Sequence, residues 1–247
     1  MSVADIERTE PGDDERAIPV LIGVAGPRLV TEAPRSAVQS GCVGWRRSAK
    51  RGLAIVLALG LLVILLPGMT ALAAATKLSS RGPVLFRHRR VGQGGATFDM
   101  LKFRTMYPDA NERLSADREL LERYVMNDFK LPVGDDPRVT RLGRLLRRTS
   151  LDELPQLINV LRGEMSLVGP RPVVEHELRH HYGPLAPAYL HVRPGITGRW
   201  QTEGRNTIRY PERALLDVEY VEGYRLRHDV GILCRTIPRV LSRDGVH

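Results

Sequence analysis

An aspartate and a glutamate stand side by side at Asp152-Glu153, inside the string RRTSLDELPQL. Ser150 and Glu153 have the spacing of a capping box, while Pro155 favours a helix start near Leu154. Either start puts both carboxylates in or just before a first helical turn, where unpaired N–H groups favour negative charge. Adjacent helical residues point about 100° apart, so the two carboxylates cannot share one task but can divide two. One can attack phosphorus as a nucleophile; the other can hold a metal ion or handle a proton. A diphosphate substrate would need Mg²⁺, for which carboxylates such as Asp152 and Glu153 are the usual protein ligands. The pair alone does not decide, because the same residues also serve as a plain helix cap.

Cations able to meet phosphate lie along the chain. Lys102 and Arg104, in KFRTM, alternate onto one face of a strand. Arg148 precedes the carboxylates, and Arg171 sits in GPRP, where two prolines stiffen the backbone and lower the ordering cost of gripping an anion. His176-Glu177-Leu178-Arg179-His180 matches the zinc pattern HExxH, and Glu203 lies 23 residues further on. Arg179 would set a cation between the two histidines, which argues against a zinc protease. Gly92, Gly94 and Gly95 are not followed by GK[ST], so they are not a Walker loop. Asp217, Tyr220, His228 and Asp229 read as ordinary core or surface residues.

The elements that must position these groups follow from periodicity. Val84-Leu85-Phe86, the glycine turn and the alternating TFDMLKFRTM predict a β-hairpin. Residues 109–129 show helical spacing on a charged background. PRVTRLGRLLRRT, residues 137–149, is basic and amphipathic, suited to a membrane interface or to packing on its own domain. A further helix follows the carboxylates, then loops, then closing helices.

Ahead of all this, Gly52–Thr76 is a run of 25 residues without charge, flanked by Arg46, Arg47, Lys50 and Arg51 and by Lys77, Arg81, Arg87, Arg89 and Arg90. A membrane helix needs about 20 such residues. Positive charge marks the cytoplasmic side, and here both ends carry it. Pro67 interrupts the helical hydrogen-bond ladder, and the limb Gly52–Leu66 is about 22 Å long against a hydrocarbon core of roughly 30 Å. A re-entrant hairpin, broken at Pro67 and returning to the face it entered, satisfies both observations. The chain thus divides into a disordered polar tail (1–45), a re-entrant membrane helix (46–80) and a catalytic domain on the cytoplasmic face (81–247).

Composition agrees. The tail carries seven acids and four bases, and with a total of +9 the remainder carries +12, a balance suited to anionic lipid or phosphorylated substrates. At 5% aromatic residues, with bases crowded beside the apolar run, the chain is not a nucleic-acid binder. Cys42 and Cys234 have no CxxC or metal spacing, as in a reduced compartment.

KFRTM, RRTSLDELPQLINVLRGEMSLVGPRP, RPGITGRWQ and LDVEYVE, in this order and spacing, resemble the bacterial sugar transferase family, the monotopic phosphoglycosyl transferases. The resemblance covers roughly Lys50 to the C-terminus. It implies a helix-rich α/β (α+β) membrane-associated domain with a re-entrant, proline-broken helix and interfacial amphipathic helices. It implies transfer of a sugar 1-phosphate from a UDP-sugar to polyprenyl (undecaprenyl) phosphate, releasing UMP. The product would start exopolysaccharide or glycan assembly at the bacterial inner membrane and pass to downstream glycosyltransferases. Asp152 would be the nucleophile of a ping-pong cycle and Glu153 would work with Mg²⁺. Arg171 would hold a phosphate, with Lys102, Arg104 and Arg148 as further site cations. Gly223-Tyr224-Arg225 departs from the aromatic-Ser pair of many relatives. The alternative is a catalytically inactive membrane-anchored scaffold or lipid-binding relative.

Overall fold

The computed structural model describes residues 44–127, 131–132, 134–204 and 208–242. The tail expected over residues 1–45 lies outside the described residues but for its last two, which begin the first helix.

Helix α1, Gly44–Ser79, is 36 residues long, about 54 Å at 1.5 Å per residue. Its Leu- and Ala-rich composition favours helix throughout. Pro67, where a kink or break is expected, does not interrupt the helix. The helix runs through Pro67 as one element, and Thr70 Oγ1 donates to the Pro67 carbonyl at 2.8 Å. A proline interior to a helix costs about 3 kcal/mol. Here both sides of Pro67 are held by packing on the same body. Ala54, Ala58, Met69 and Thr76 are buried, with Leu62, Leu65, Leu72 and Ala73 partly so, a stripe at three- and four-residue spacing. Lys50 and Arg51 tie down one end, and Arg104 ties down the other. The opposite face exposes Val56, Leu59, Val63, Ile64 and Leu66. The helix is long and apolar enough to cross a membrane, with an 18-residue window of mean hydropathy 2.6.

Strands β1 (Leu85–Val91) and β2 (Thr97–Phe103) form the expected antiparallel hairpin, in register from Leu85 opposite Phe103 to Val91 opposite Thr97. Its turn holds Gly94 at φ 70° and Gly95 at φ 84°, a conformation glycine adopts without steric cost. The helix expected over 109–129 is two, α2 (Ala110–Ala116) and α3 (Arg118–Met126). Asp117 divides them because its carboxylate accepts from the Leu120 N–H at 3.0 Å and caps α3.

Helix α4 (Arg141–Thr149) starts later than its pattern, since the Thr140 hydroxyl caps it through Gly143 N–H at 2.8 Å. It packs Leu146 into the core, and Leu145 is half exposed. A Cβ on Gly143 would lie 2.0 Å from the Thr105 carbonyl oxygen, so only glycine lets α4 approach the end of the hairpin this closely. Helix α5 (Gln156–Arg162) follows, then β3 (Ser166–Val168), a single turn α6 (Glu175–Glu177), α7 (Ala186–Leu190), β4 (Gly195–Thr197) and α8 (Arg199–Glu203). Helices α9 (Glu212–Glu222) and α10 (Leu226–Ser242) close the domain. β3 and β4 pair in parallel, so the described residues hold two separate two-stranded sheets among helices, a helix-rich α+β architecture.

One core joins these parts. Ala54 and Ala58 of α1 pack with Phe98 and Met100 of β2, Leu157 and Val160 of α5, and Tyr220 and Ile232 of the closing helices. Asn159, fully buried on α5, takes the place of a neighbouring strand for β2. Its side-chain oxygen accepts from Leu101 N–H at 2.9 Å, and its amide nitrogen donates to the Asp99 carbonyl at 2.8 Å and to Glu164 at 2.7 Å. Replacing Asn159 by Leu strands these groups in a dry core, at about 1–3 kcal/mol for each unpaired group. The expected outcome is a melting temperature roughly 5–10 °C lower for Asn159→Leu, measured by differential scanning fluorimetry.

Candidate active site

The carboxylate pair sits on a bend that the backbone does not adopt freely. Ser150 ends α4 at φ 56°, ψ 16°, the one non-glycine residue with positive φ among the described residues. Left-handed backbone costs an L-residue roughly 1–2 kcal/mol. It turns the chain into a 3₁₀ turn, Leu151–Glu153, and α5 begins only after Pro155. The Ser150 side chain makes no capping bond to the turn, and Glu153 reaches Lys102 of β2 instead of forming a capping box.

The two carboxylates are unequally served. Lys102 Nζ lies 2.8 Å from Glu153 Oε1 but 3.9 Å from Asp152 Oδ2. Asp152 is 7% exposed. Burial pushes its carboxyl up to about 6 from an ordinary 3.8, Glu153 adding to the effect while Lys102 and Arg147 oppose it. Asp152 is therefore a desolvated, under-neutralised carboxylate, more basic and more nucleophilic than a solvated one. Glu153, in contact with the ammonium group, is placed for a supporting task.

The expected cations are placed differently from one another. Lys102 faces the pair. Arg148 is exposed on α4, whereas Arg147 is turned inward, its Nε donating to Thr105 Oγ1 at 2.9 Å and its charge acting on Asp152. Helical phase carried the signal: Arg147 follows Thr140 and Gly143, on the buried side, by seven and four residues. Arg104 lies one residue past β2, where strand alternation no longer applies. Its Nη2 donates to the carbonyls of Ser80 at 2.7 Å and Thr76 at 3.3 Å and its Nη1 to Pro83, so it clamps the end of α1 and is not brought to the carboxylates. Arg171 is exposed, 5.9 Å from the centre of the Trp200 ring, and touches neither Asp152 nor Glu153.

The ring centres of His176 and His180 lie 4.2 Å apart, and among the described residues no third ligand completes the HExxH match. His176 ends up on the single turn α6, and His180 on a wider turn over Leu178–Tyr182. Glu177 is held by Val174 N–H and Arg90, and Glu203 by Arg199 at 3.0 Å. Among the described residues no group of three or more His, Cys, Asp or Glu side chains is arranged for a metal. Asp152 and Glu153 supply two carboxylates, the number Mg²⁺ takes from a protein when substrate phosphates and water fill its remaining positions, so the donor set fits that ion. Asp229 is a buried anchor, bound to Lys50 at 3.2 Å and to the Tyr220 hydroxyl at 2.6 Å.

The site thus holds a buried aspartate with Lys102 and Arg147 beside it, in a chain whose first helix is long and apolar enough to cross a membrane. The family model of the bacterial sugar transferases matches residues 45–243, and the chain belongs to that family. It is 44% identical over 204 residues to the exopolysaccharide production protein ExoY of Sinorhizobium fredii, covering 80% of this chain and 87% of that one. It is 44% identical over 207 residues to a UDP-galactose-lipid carrier transferase of Erwinia amylovora, covering 81% of this chain and 42% of the relative. A UDP-glucose:undecaprenyl-phosphate glucose-1-phosphate transferase of Caulobacter vibrioides is 41% identical over 210 residues, covering 80% and 72%.

The raised pKa has a stability consequence. The folded state holds the Asp152 proton more tightly than the unfolded chain does. The contribution of Asp152 to stability is therefore greatest below the ordinary carboxyl value and is lost as pH rises from 3.8 through about 6, a change on the order of 3 kcal/mol. Asp152→Asn removes that loss. Thermal melts should show the variant several degrees above the parent near pH 7.5, the difference shrinking toward pH 4.

Proposed function

We propose that this chain transfers a sugar 1-phosphate from a UDP-sugar to undecaprenyl phosphate, releasing UMP and opening exopolysaccharide or glycan assembly. The observation that carries the reading is Asp152: buried, incompletely paired and backed by Lys102 and Arg147. In the first half-reaction an Asp152 oxygen forms a bond to the sugar-bearing phosphorus. The bond from that phosphorus to UMP breaks, and UMP leaves with the electron pair. In the second, an oxygen of the lipid phosphate attacks the same phosphorus and Asp152 departs as carboxylate. Lys102 and Arg147 offset the negative charge that gathers as each bond forms. Glu153, beside the nucleophile, would hold Mg²⁺, which when bound neutralises diphosphate oxygens. Arg171 would grip a phosphate further from the attacked centre.

The membrane arrangement follows the packing of α1. Its buried stripe continues on both sides of Pro67 and its two ends are tied to one catalytic body. The exposed face, with Val56, Leu59, Val63 and Ile64, would lie against acyl chains, and both ends would remain on the cytoplasmic side, a reading supported by the ties of Lys50, Arg51 and Arg104 to one body. The domain then meets a soluble nucleotide sugar and a lipid phosphate at one surface of the inner membrane.

Purified protein with Mg²⁺, undecaprenyl phosphate and a panel of UDP-sugars should release UMP for at least one sugar. Omitting the lipid should trap labelled phosphosugar on the protein. Asp152→Asn should release less than about a thousandth of the UMP while remaining folded; normal turnover by that variant would overturn the nucleophile assignment. An inactive scaffold would trap no label. For topology, single cysteines at Gly52 and Leu78, with Cys42 and Cys234 replaced by serine, should both resist an impermeant maleimide applied to spheroplasts and both react in inverted vesicles. Labelling from opposite sides would establish a spanning helix.

A further inference from the structure

Away from the carboxylate pair, two arginines converge on one indole. The Arg213 guanidinium, in the first turn of α9, lies 4.6 Å from the centre of the Trp200 ring and 5.6 Å from that of Tyr210. Arg171 reaches the same indole from the loop after β3. Trp200 is 5% exposed, so it is a fixed floor and not a mobile surface ring. Arg213 Nε donates to the Ile208 carbonyl at 2.6 Å, which holds the plane of the guanidinium.

Among the described residues the cluster has no contacting counter-ion. Neither Arg171 nor Arg213 forms an ion pair with a carboxylate of the described residues. Two acids lie near enough for their fields to reach it. Glu177 is engaged by Arg90. Asp217 is 1% exposed, with Oδ2 held by the Tyr182 hydroxyl at 2.7 Å and Oδ1 without a partner. Burial, and after it the charge of Arg171, hold the Arg213 guanidinium below its ordinary pKa. Two like charges on one ring, with several donors unspent, are relieved by an anion that both can reach. A phosphate oxygen pair matches each planar fork, and an aromatic face restricts where the forks can turn.

We propose that Arg171 and Arg213, seated on Trp200, form a two-arginine clamp for a substrate phosphate, with Arg213 as a binding residue in its own right. The inference rests on the phosphoryl-transfer reading above. Neither arginine contacts Asp152, and the clamp takes a phosphate other than the one under attack. That phosphate comes from the nucleoside monophosphate half of the donor or from the lipid carrier.

The chain has two tryptophans, so Trp45→Phe leaves Trp200 as the only reporter. The full chain in detergent, carrying this change, is titrated with UMP, with inorganic phosphate and with undecaprenyl phosphate in mixed micelles, following tryptophan fluorescence. A saturable change is expected. Response to UMP assigns the clamp to the nucleotide, and response to the lipid alone assigns it to the carrier. Arg213→Gln and Arg171→Gln should each weaken that binding at least about tenfold, and the double variant little further, because both act on one ligand. Arg213→Lys, which keeps the charge and loses the fork, should fall between and guards against a glutamine variant that fails to fold. Asp152→Asn should bind as the parent does. No fluorescence response to any of the three ligands overturns the clamp, as does unchanged affinity in the folded Arg213 variants. Binding at Trp200 without UMP release from any UDP-sugar would instead overturn the transferase reading and leave the clamp standing.

Discussion

The amide of Asn159 is the contact on which the site depends. Lys102 arrives on a hairpin strand and Glu153 on a turn 51 residues later, and no covalent or local feature brings them together. Asn159 does so by completing the open edge of β2 from a helix. Its two bonds to the Asp99 and Leu101 backbone fix α5 against the strand in one register. A shift of one residue would turn Lys102 to the other face of the strand. The bond to Glu164 uses the amide's second proton and fixes which way it points.

With the register set, chemistry and stability pull in opposite directions. Asp152 is kept from water and given only the weaker share of Lys102, and Ser150 is held in a left-handed conformation to aim it. Each feature costs the fold something, and the large shared core around Val160, Met165 and Val168 offsets them. Strain and an under-paired charge, concentrated within three residues, are what distinguish this turn from an ordinary capped helix.

What sequence reading captured follows the range of the forces involved. The hairpin was legible because alternation and glycines act over a few residues. The carboxylate pair was legible as a pair, and its motif context pointed to the family. Arg104 was expected beside Lys102 from strand alternation and Arg148 from the family resemblance, and neither contacts the carboxylate pair. Arg104 lies past the end of the strand, and Arg148 is one helical step out of phase with Arg147. Pro67 was read as a break because its local cost is plain, while the packing that opposes it comes from residues a hundred positions away, such as Val160. Arg171, Trp200 and Arg213 meet only in the folded chain, drawn from three separate segments.

The stripe of α1 buried against the domain also governs how this protein can be handled and how it can evolve. Ala54 and Ala58 are walls of the same core that contains Met100, Leu157 and Tyr220. The long apolar helix is thus a structural wall of the domain, whatever it meets on its exposed face. A fragment cut after Ser79 would open that core to water and lose the contacts of Lys50, Arg51 and Thr76 with the domain. Trimming the anchor therefore yields no water-soluble form of the domain, and a lineage could not shed its membrane attachment without rebuilding its interior.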